Sequence, residues 1–139
     1  MIRAQRYHDI SCGHRVVGHE GKCAHLHGHN YRIWFTCEAA EVDAIGRVID
    51  FGVIKERLCM WVEWRWDHRL LLWEQDPLYP LLHDLDEAVV AVPFNPTAEN
   101  IAKYLVEERG PVAMHDTGVR LVAVTVEETS KCQATFSLL

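Results

Sequence analysis

Apolar and polar residues alternate along much of this chain. Between His27 and Ala39, Tyr31, Ile33 and Phe35 share one parity, and Asn30, Arg32 and Trp34 share the other. That is the pattern of a strand with one buried face. Its aromatic and β-branched content agrees. Residues 2–14 show no helical stripe and are read as an extended segment. Gly18 to Lys22 forms a polar loop, and a turn around Asp43-Ala44-Ile45-Gly46 leads to Val48-Ile49. Near the end, Val119 to Glu127 and Gln133 to Leu138 are two further strands around Thr129-Ser130-Lys131.

The spacing changes in the middle of the chain. Val53, Ile54, Leu58, Trp61 and Val62 recur at helical intervals, so a helix is predicted over about 52–65 with Asp50 as its N-cap. Residues 66–73 are ordered but short, and Asp76-Pro77 and Tyr79-Pro80 punctuate a loop. Ala88 to Val92 suits a short strand. A second helix opens at Asn95-Pro96-Thr97, with Asn95 as N-cap and Pro96 at N1. It presents Ile101, Ala102, Leu105 and Val106 to the core, and Gly110-Pro111 ends it. The order β-β-α-α-β-β predicts one α+β domain over 1–139, an antiparallel sheet with two helices on one face.

Charge narrows the function classes. Fourteen Lys and Arg against twenty Asp and Glu give a net charge of −6. A basic nucleic-acid binder is not expected, and any anion site must be local. No apolar run is long enough to span a membrane, and the first residues lack the apolar core of a signal peptide. Cysteines 12, 23, 37, 59 and 132 are an odd count and read as reduced thiols of a cytoplasmic protein.

The candidate chemistry lies in the histidines. In a strand, His27 and His29 of Leu26-His27-Gly28-His29-Asn30 point to the same face, where two imidazoles chelate one ion. A catalytic zinc site needs a third histidine and an open position. His14 is the best candidate, ahead of His8, His19 and His25. Cys23 as a fourth ligand would instead make a closed structural site. As a free thiol, Cys23 follows Lys22, and an adjacent cation raises the thiolate fraction, although a buried inert cysteine is the commoner fate. Cys37 and Cys59 fall within elements and are expected to be inert. Asp67-His68 pairs a carboxylate with an imidazole it can orient. Glu127-Glu128-Thr129 lies near a strand end, where a carboxylate is usually solvated; a buried one could accept two N–H bonds from the edge of a guanidine-like heterocycle.

Taken in order, these pieces resemble the 6-pyruvoyl-tetrahydropterin synthase / 6-carboxy-tetrahydropterin synthase family. They are His14-Arg15, Cys23-Ala24-His25-Leu26-His27-Gly28-His29, Gly46-Arg47-Val48-Ile49-Asp50-Phe51, Asp67-His68, Asn95 to Asn100 and Val126-Glu127-Glu128-Thr129. The resemblance implies the tunnelling fold, assembled from several chains into a barrel, commonly a hexamer with active sites between subunits. It implies one zinc per subunit on His14, His27 and His29, with Cys23 as general base. Asp67 and His68 complete a triad from a neighbouring chain. Glu128 anchors the pterin edge, with Thr129, Thr97 and Glu99 nearby. The spacing of Cys23 and His27 resembles the carboxy branch of queuosine (7-deazaguanine) biosynthesis. That branch acts on 7,8-dihydroneopterin triphosphate and releases triphosphate and acetaldehyde. A pyruvoyl synthase is the alternative within the family, and a metal- or pterin-binding module without turnover is the alternative outside it. Charge and proximity make Lys22, His25 and Arg15 candidates for the triphosphate. The chain departs from the family pattern at Cys12-Gly13 before His14, and at Arg69, where relatives often carry a second histidine.

Overall fold

A computed structural model describes residues 1–138. Six strands form one curled sheet in the order β4-β3-β1-β2-β5-β6. Strands β1 (Ile2–His14) and β2 (His27–Ala39) are the long central pair, antiparallel along their whole length. Antiparallel β5 (Arg120–Glu127) and β6 (Gln133–Ser137) extend the sheet beyond β2. The alternation read from the sequence is the burial pattern observed: Tyr31, Ile33 and Phe35 are enclosed, as are Ile10 and Cys12 of β1. A bulge at Thr36/Cys37 breaks the alternation, and both residues are buried there.

The sheet is mixed, which corrects the antiparallel expectation. Strands β3 (Leu70–Trp73) and β4 (Val89–Val92) run parallel to each other, and β3 runs parallel to β1. Parallel neighbours need a crossover. The segment expected to be a loop supplies one, as helix α3 (Leu78–Leu85). Its prolines do not oppose this. Pro77 precedes the first turn and Pro80 lies within it, where backbone N–H groups have no helical partner to lose. Asp76 accepts from Leu78 N–H at 2.8 Å and so helps start the turn.

Two longer helical rods cover one face of the sheet. The first comprises α1 (Phe51–Ile54), a π turn (Lys55–Cys59) and α2 (Met60–Trp66). Asp50 caps it by accepting from Gly52 N–H at 2.6 Å. The second comprises α4 (Ala98–Tyr104), a π turn (Leu105–Arg109) and α5 (Gly110–Met114). Ile54, Leu58, Val62, Ile101, Ala102, Leu105 and Val106 are all buried between rods and sheet.

Two boundaries of the second rod differ from expectation. Thr97, not Asn95, is the N-cap, accepting from Asn100 N–H at 3.1 Å. Asn95 is used across the fold instead, exchanging hydrogen bonds with the backbone N–H and carbonyl of Val17. Gly110-Pro111 does not end the rod. Proline lacks the N–H of an α-helical bond and its ring collides with the carbonyl four residues back. The π turn just before it displaces that carbonyl, so the rod continues to Met114. Gly110 is needed for packing, because a Cβ there would lie 3.0 Å from Leu121 Cδ2.

Candidate active site

The register of the central hairpin assembles the site. His14 is the direct cross-strand partner of His27, and His29 lies two residues further along opposite Cys12. All three histidines share the helix-facing side of the sheet, since side chains alternate along each strand. Glu128 arrives from the end of β5. It belongs to the same side because Glu127 pairs with Arg32, which puts the next residue beside Tyr31. The donor atoms of His14, His27, His29 and Glu128 all lie within 4.8 Å of one another. This group could hold a metal ion.

The second nitrogens of two rings settle how the cluster is wired. His14 Nδ1–H donates to the Pro96 carbonyl at 2.7 Å, and His27 Nδ1–H donates to the His25 carbonyl at 2.7 Å. A carbonyl only accepts, so each Nδ1 carries the proton and each neutral ring turns a lone pair inward at Nε2. Tyr31 O–H, itself buried, donates to His14 Nε2 at 3.1 Å. Glu128 Oε1 stands 3.2 Å from His14 Nε2 and 3.0 Å from His29 Nε2. His27 Nε2 and His29 Nε2 are buried and make no hydrogen bond. Lone pairs and a carboxylate converging in a buried space repel unless a cation lies between them. The donor set therefore fits a divalent metal ion, with imidazole nitrogens and a carboxylate oxygen.

Burial and neighbouring charge act on the cluster in opposite senses. Burial favours the neutral His29 ring and pulls its pKa down, against the attraction of Glu128. Burial raises the Tyr31 phenol, which stays a hydrogen-bond donor.

Cys23 lies in a short 3₁₀ turn, Lys22–Ala24, half-buried and outside the donor group. Cys12 shares the face of His14, but burial pushes its thiol up to about 12 and it too stands outside the group. Thr97 spends its hydroxyl as the helix cap and Thr129 spends its own on the N–H groups of Lys131 and Cys132. Glu99 is exposed on the first turn of α4.

Asp67 and His68 form a bonded dyad. His68 Nδ1–H donates to Asp67 Oδ2 at 2.8 Å, and Ser11 N–H donates to Asp67 Oδ1 at 2.8 Å. Burial works against ionisation of Asp67, but these bonds outweigh it and hold its carboxyl below the ordinary value. His68 adopts φ 58°, a left-handed conformation uncommon for a residue with a side chain. Its imidazole is 82% exposed. It borders a cavity of about 660 Å³ with Asp9, Asn30, Arg32 and Glu127, residues of the sheet face that carries no helical rod. The dyad thus borders the helix-free face of the sheet, while the rings of the histidine cluster lie on the helix-covered face.

The three triphosphate candidates separate. Lys22 and His25 are exposed beside Cys23. Arg15 is not free: its Nε and Nη2 donate to the two oxygens of buried Asp76 at 2.7 and 2.5 Å. Sequence reasoning saw neither this pair nor the roles of Tyr31 and the Pro96 carbonyl. Tyr31 carried a signal, since it follows His29 by two residues on the same parity.

The family model for 6-pyruvoyl tetrahydropterin synthase matches residues 3–138. The chain belongs to that family. A protein of Rickettsia typhi named 6-carboxy-5,6,7,8-tetrahydropterin synthase is 36% identical over 134 residues, 95% of this chain and 97% of the relative. A Halobacterium salinarum protein, named a probable enzyme of the same kind, is 38% identical over 123 residues, 86% of this chain and 76% of the relative. Among solved structures, an uncharacterized protein from Wolinella succinogenes superposes with a TM-score of 0.87 at 25% identity, covering 98% of this chain and 97% of the other. The 6-pyruvoyl tetrahydropterin synthase of Caenorhabditis elegans gives 0.72 at 25% identity, over 99% and 96%. The sheet of this family member is thus shared with enzymes of pterin chemistry. Among its described residues, no helix is long and apolar enough to cross a membrane.

Proposed function

We propose that this family member is a zinc-dependent 6-carboxy-5,6,7,8-tetrahydropterin synthase acting in queuosine (7-deazaguanine) biosynthesis in the cytoplasm. With one water, it converts 7,8-dihydroneopterin triphosphate to 6-carboxy-5,6,7,8-tetrahydropterin, acetaldehyde and triphosphate. The observation that carries the reading is the convergence of His14, His27, His29 and Glu128 on one point with lone pairs turned inward. Curated relatives bearing that enzyme name over nearly the whole chain supply the substrate class.

His14, His27 and His29 would hold the zinc, which when bound supplies Lewis acidity toward the hydroxyls of the substrate side chain. Glu128 lies close enough to the cluster to change partners, releasing it to accept N–H bonds from the amino-pyrimidine edge of the pterin. Cys23, outside the donor group, stays free to move a proton at the side chain. That arrangement favours catalysis over the closed Cys-His₃ site, which requires Cys23 among the ligands. His68, oriented by Asp67, acts as acid or base on the other side of the side chain. Thr97, Glu99 and Thr129 stand at the pterin end, and Lys22 and His25 at the loop beside Cys23.

The opposite placement of cluster and dyad supports an assembly in which His68 reaches the cluster of a neighbouring subunit, in a homo-oligomer we take to be a hexamer. The test is incubation of zinc-loaded protein with 7,8-dihydroneopterin triphosphate, following acetaldehyde and pterin together. Acetaldehyde in step with the carboxy product supports the reading. A pyruvoyl product without acetaldehyde selects the other branch, and tight pterin binding without turnover selects a binding module.

A further inference from the structure

Six of the fourteen Lys and Arg side chains hold ion pairs. Arg3 pairs with Glu38, Arg15 with Asp76, Arg32 with Asp9, Arg47 with Asp43, Arg57 with Asp116 and Lys103 with Glu107. Arg69 is different: among the described residues its guanidinium makes no ion pair and no hydrogen bond, although the residue is half-buried. It borders a cavity of about 560 Å³ together with Ser11, Asn30 and His68. The floor of that cavity is Gly13 and Gly28, which are cross-strand partners. A Cβ on either would crowd its surroundings, at 2.9 Å from Leu70 Cδ1 and 3.2 Å from the Cys12 carbonyl oxygen.

The turn that presents Arg69 is fixed at each step. Asp67 is held by Ser11 N–H, His68 N–H donates to the Ser11 carbonyl at 2.6 Å, and Arg69 N–H donates to the Trp66 carbonyl at 3.1 Å. The left-handed backbone at His68 makes the bend that puts Arg69 beside the dyad. One carboxylate, Asp86, shares the cavity, and one of its oxygens is taken by Ala88 N–H at 2.9 Å.

We propose that Arg69 is a triphosphate-binding residue, which holds the leaving group of the substrate next to the Asp67–His68 dyad of the same turn. The proposal rests on the reading that the substrate carries a triphosphate. A guanidinium offers paired N–H donors that match phosphate oxygens. Charge that grows on a departing triphosphate is best met by a fixed cation in a partly enclosed space. In a chain of net charge −6, such a cation must be supplied locally. Arg15 cannot take this part, because Asp76 occupies its fork. Because Arg69 and the dyad share a turn, they travel together to whichever cluster the dyad serves.

The test measures binding of inorganic triphosphate to the zinc-loaded protein by calorimetry, with neopterin as a control ligand that lacks phosphates. The expected result is that Arg69→Ala weakens triphosphate binding about tenfold or more, the loss of one charge-assisted contact, and leaves neopterin binding unchanged. Arg69→Lys should recover part of the loss. Unchanged triphosphate binding in Arg69→Ala, or no triphosphate binding by the parent protein, overturns the proposal. If Arg69→Ala disturbs assembly, Arg69→Gln decides by the same comparison. The readout needs no turnover. Failure of the carboxy-synthase reading shows itself as neopterin and triphosphate binding without acetaldehyde, which is a different result.

Discussion

Nδ1 of His14 donates to the carbonyl oxygen of Pro96 at 2.7 Å, tying the end of β1 to the residue that precedes the cap of α4. The bond fixes the ring with Nε2 toward His27 and His29. Its partner is a backbone atom, so the wiring survives side-chain substitution at Pro96, and the donors themselves are the points to test.

His27→Ala and His29→Ala are each expected to lower bound zinc from about one per chain to near zero, measured by elemental analysis after dialysis. A chelator should lower the melting temperature of the parent protein and leave both variants unmoved, because binding to the folded state adds stability by mass action, about 2.7 kcal/mol at a hundredfold excess over Kd.

Cys23→Ala should keep its zinc and its melting temperature while turnover falls by roughly 10²–10⁴, the usual contribution of a positioned acid or base. Loss of zinc together with stability would instead make Cys23 a ligand.

His68→Gly should be slightly more stable than the parent protein, by about 1 kcal/mol, because glycine adopts a positive φ without steric cost. The same substitution should abolish turnover. Opposite signs in chemical denaturation and in activity would separate the strained imidazole from a merely structural residue.

The Arg15–Asp76 pair should shape acid stability. The Arg15 guanidinium holds the Asp76 carboxyl below its ordinary range, with burial opposing. A depressed carboxylate stabilises the fold fully above its unfolded pKa, about 3.9, and the stabilisation is lost as pH falls through the lower folded value. Asp76→Ala strands the guanidinium and should cost about 3 kcal/mol at neutral pH. The variant should also lose the parent's sensitivity in that acid window, read from denaturation midpoints at several pH values.

Thiol titration gives a further check. Burial pushes Cys12 and Cys37 up to about 12 and Cys59 up to about 11. At pH 8, exposed Cys132 and half-buried Cys23 should react with a disulfide reagent in the native protein, with the other three reacting only after unfolding.

Much of this molecule is written in local pattern. The Tyr31-Ile33-Phe35 alternation, the Asp50 cap and the two apolar helical stripes each depend on neighbours in sequence, and all were legible. So was the pairing of His27 with His29, because period 2 alone puts them on one side. What escaped depends on contacts between distant segments. Strand β3 is short and becomes a strand by pairing with β1 and β4. Asn95 gave up the cap because Val17, 78 residues away, offered two hydrogen bonds. Arg15 looked free because nothing near it in sequence announces Asp76. Glu127 and Glu128 looked equivalent until the register turned one toward Trp34 Nε1 and the other toward the histidines.

The π turn over Leu105–Arg109 has a consequence for how this helix can change over time. It carries one residue more than an α-helix would need, and Pro111 follows after Gly110. Deleting that residue would restore the regular ladder and drive the proline ring into a carbonyl, at about 3 kcal/mol or more. Replacing the proline alone should leave the wide turn in place, since the first rod carries its own π turn over Lys55–Cys59 without a proline. The dependence runs one way: the proline needs the extra residue, and the extra residue does not need the proline.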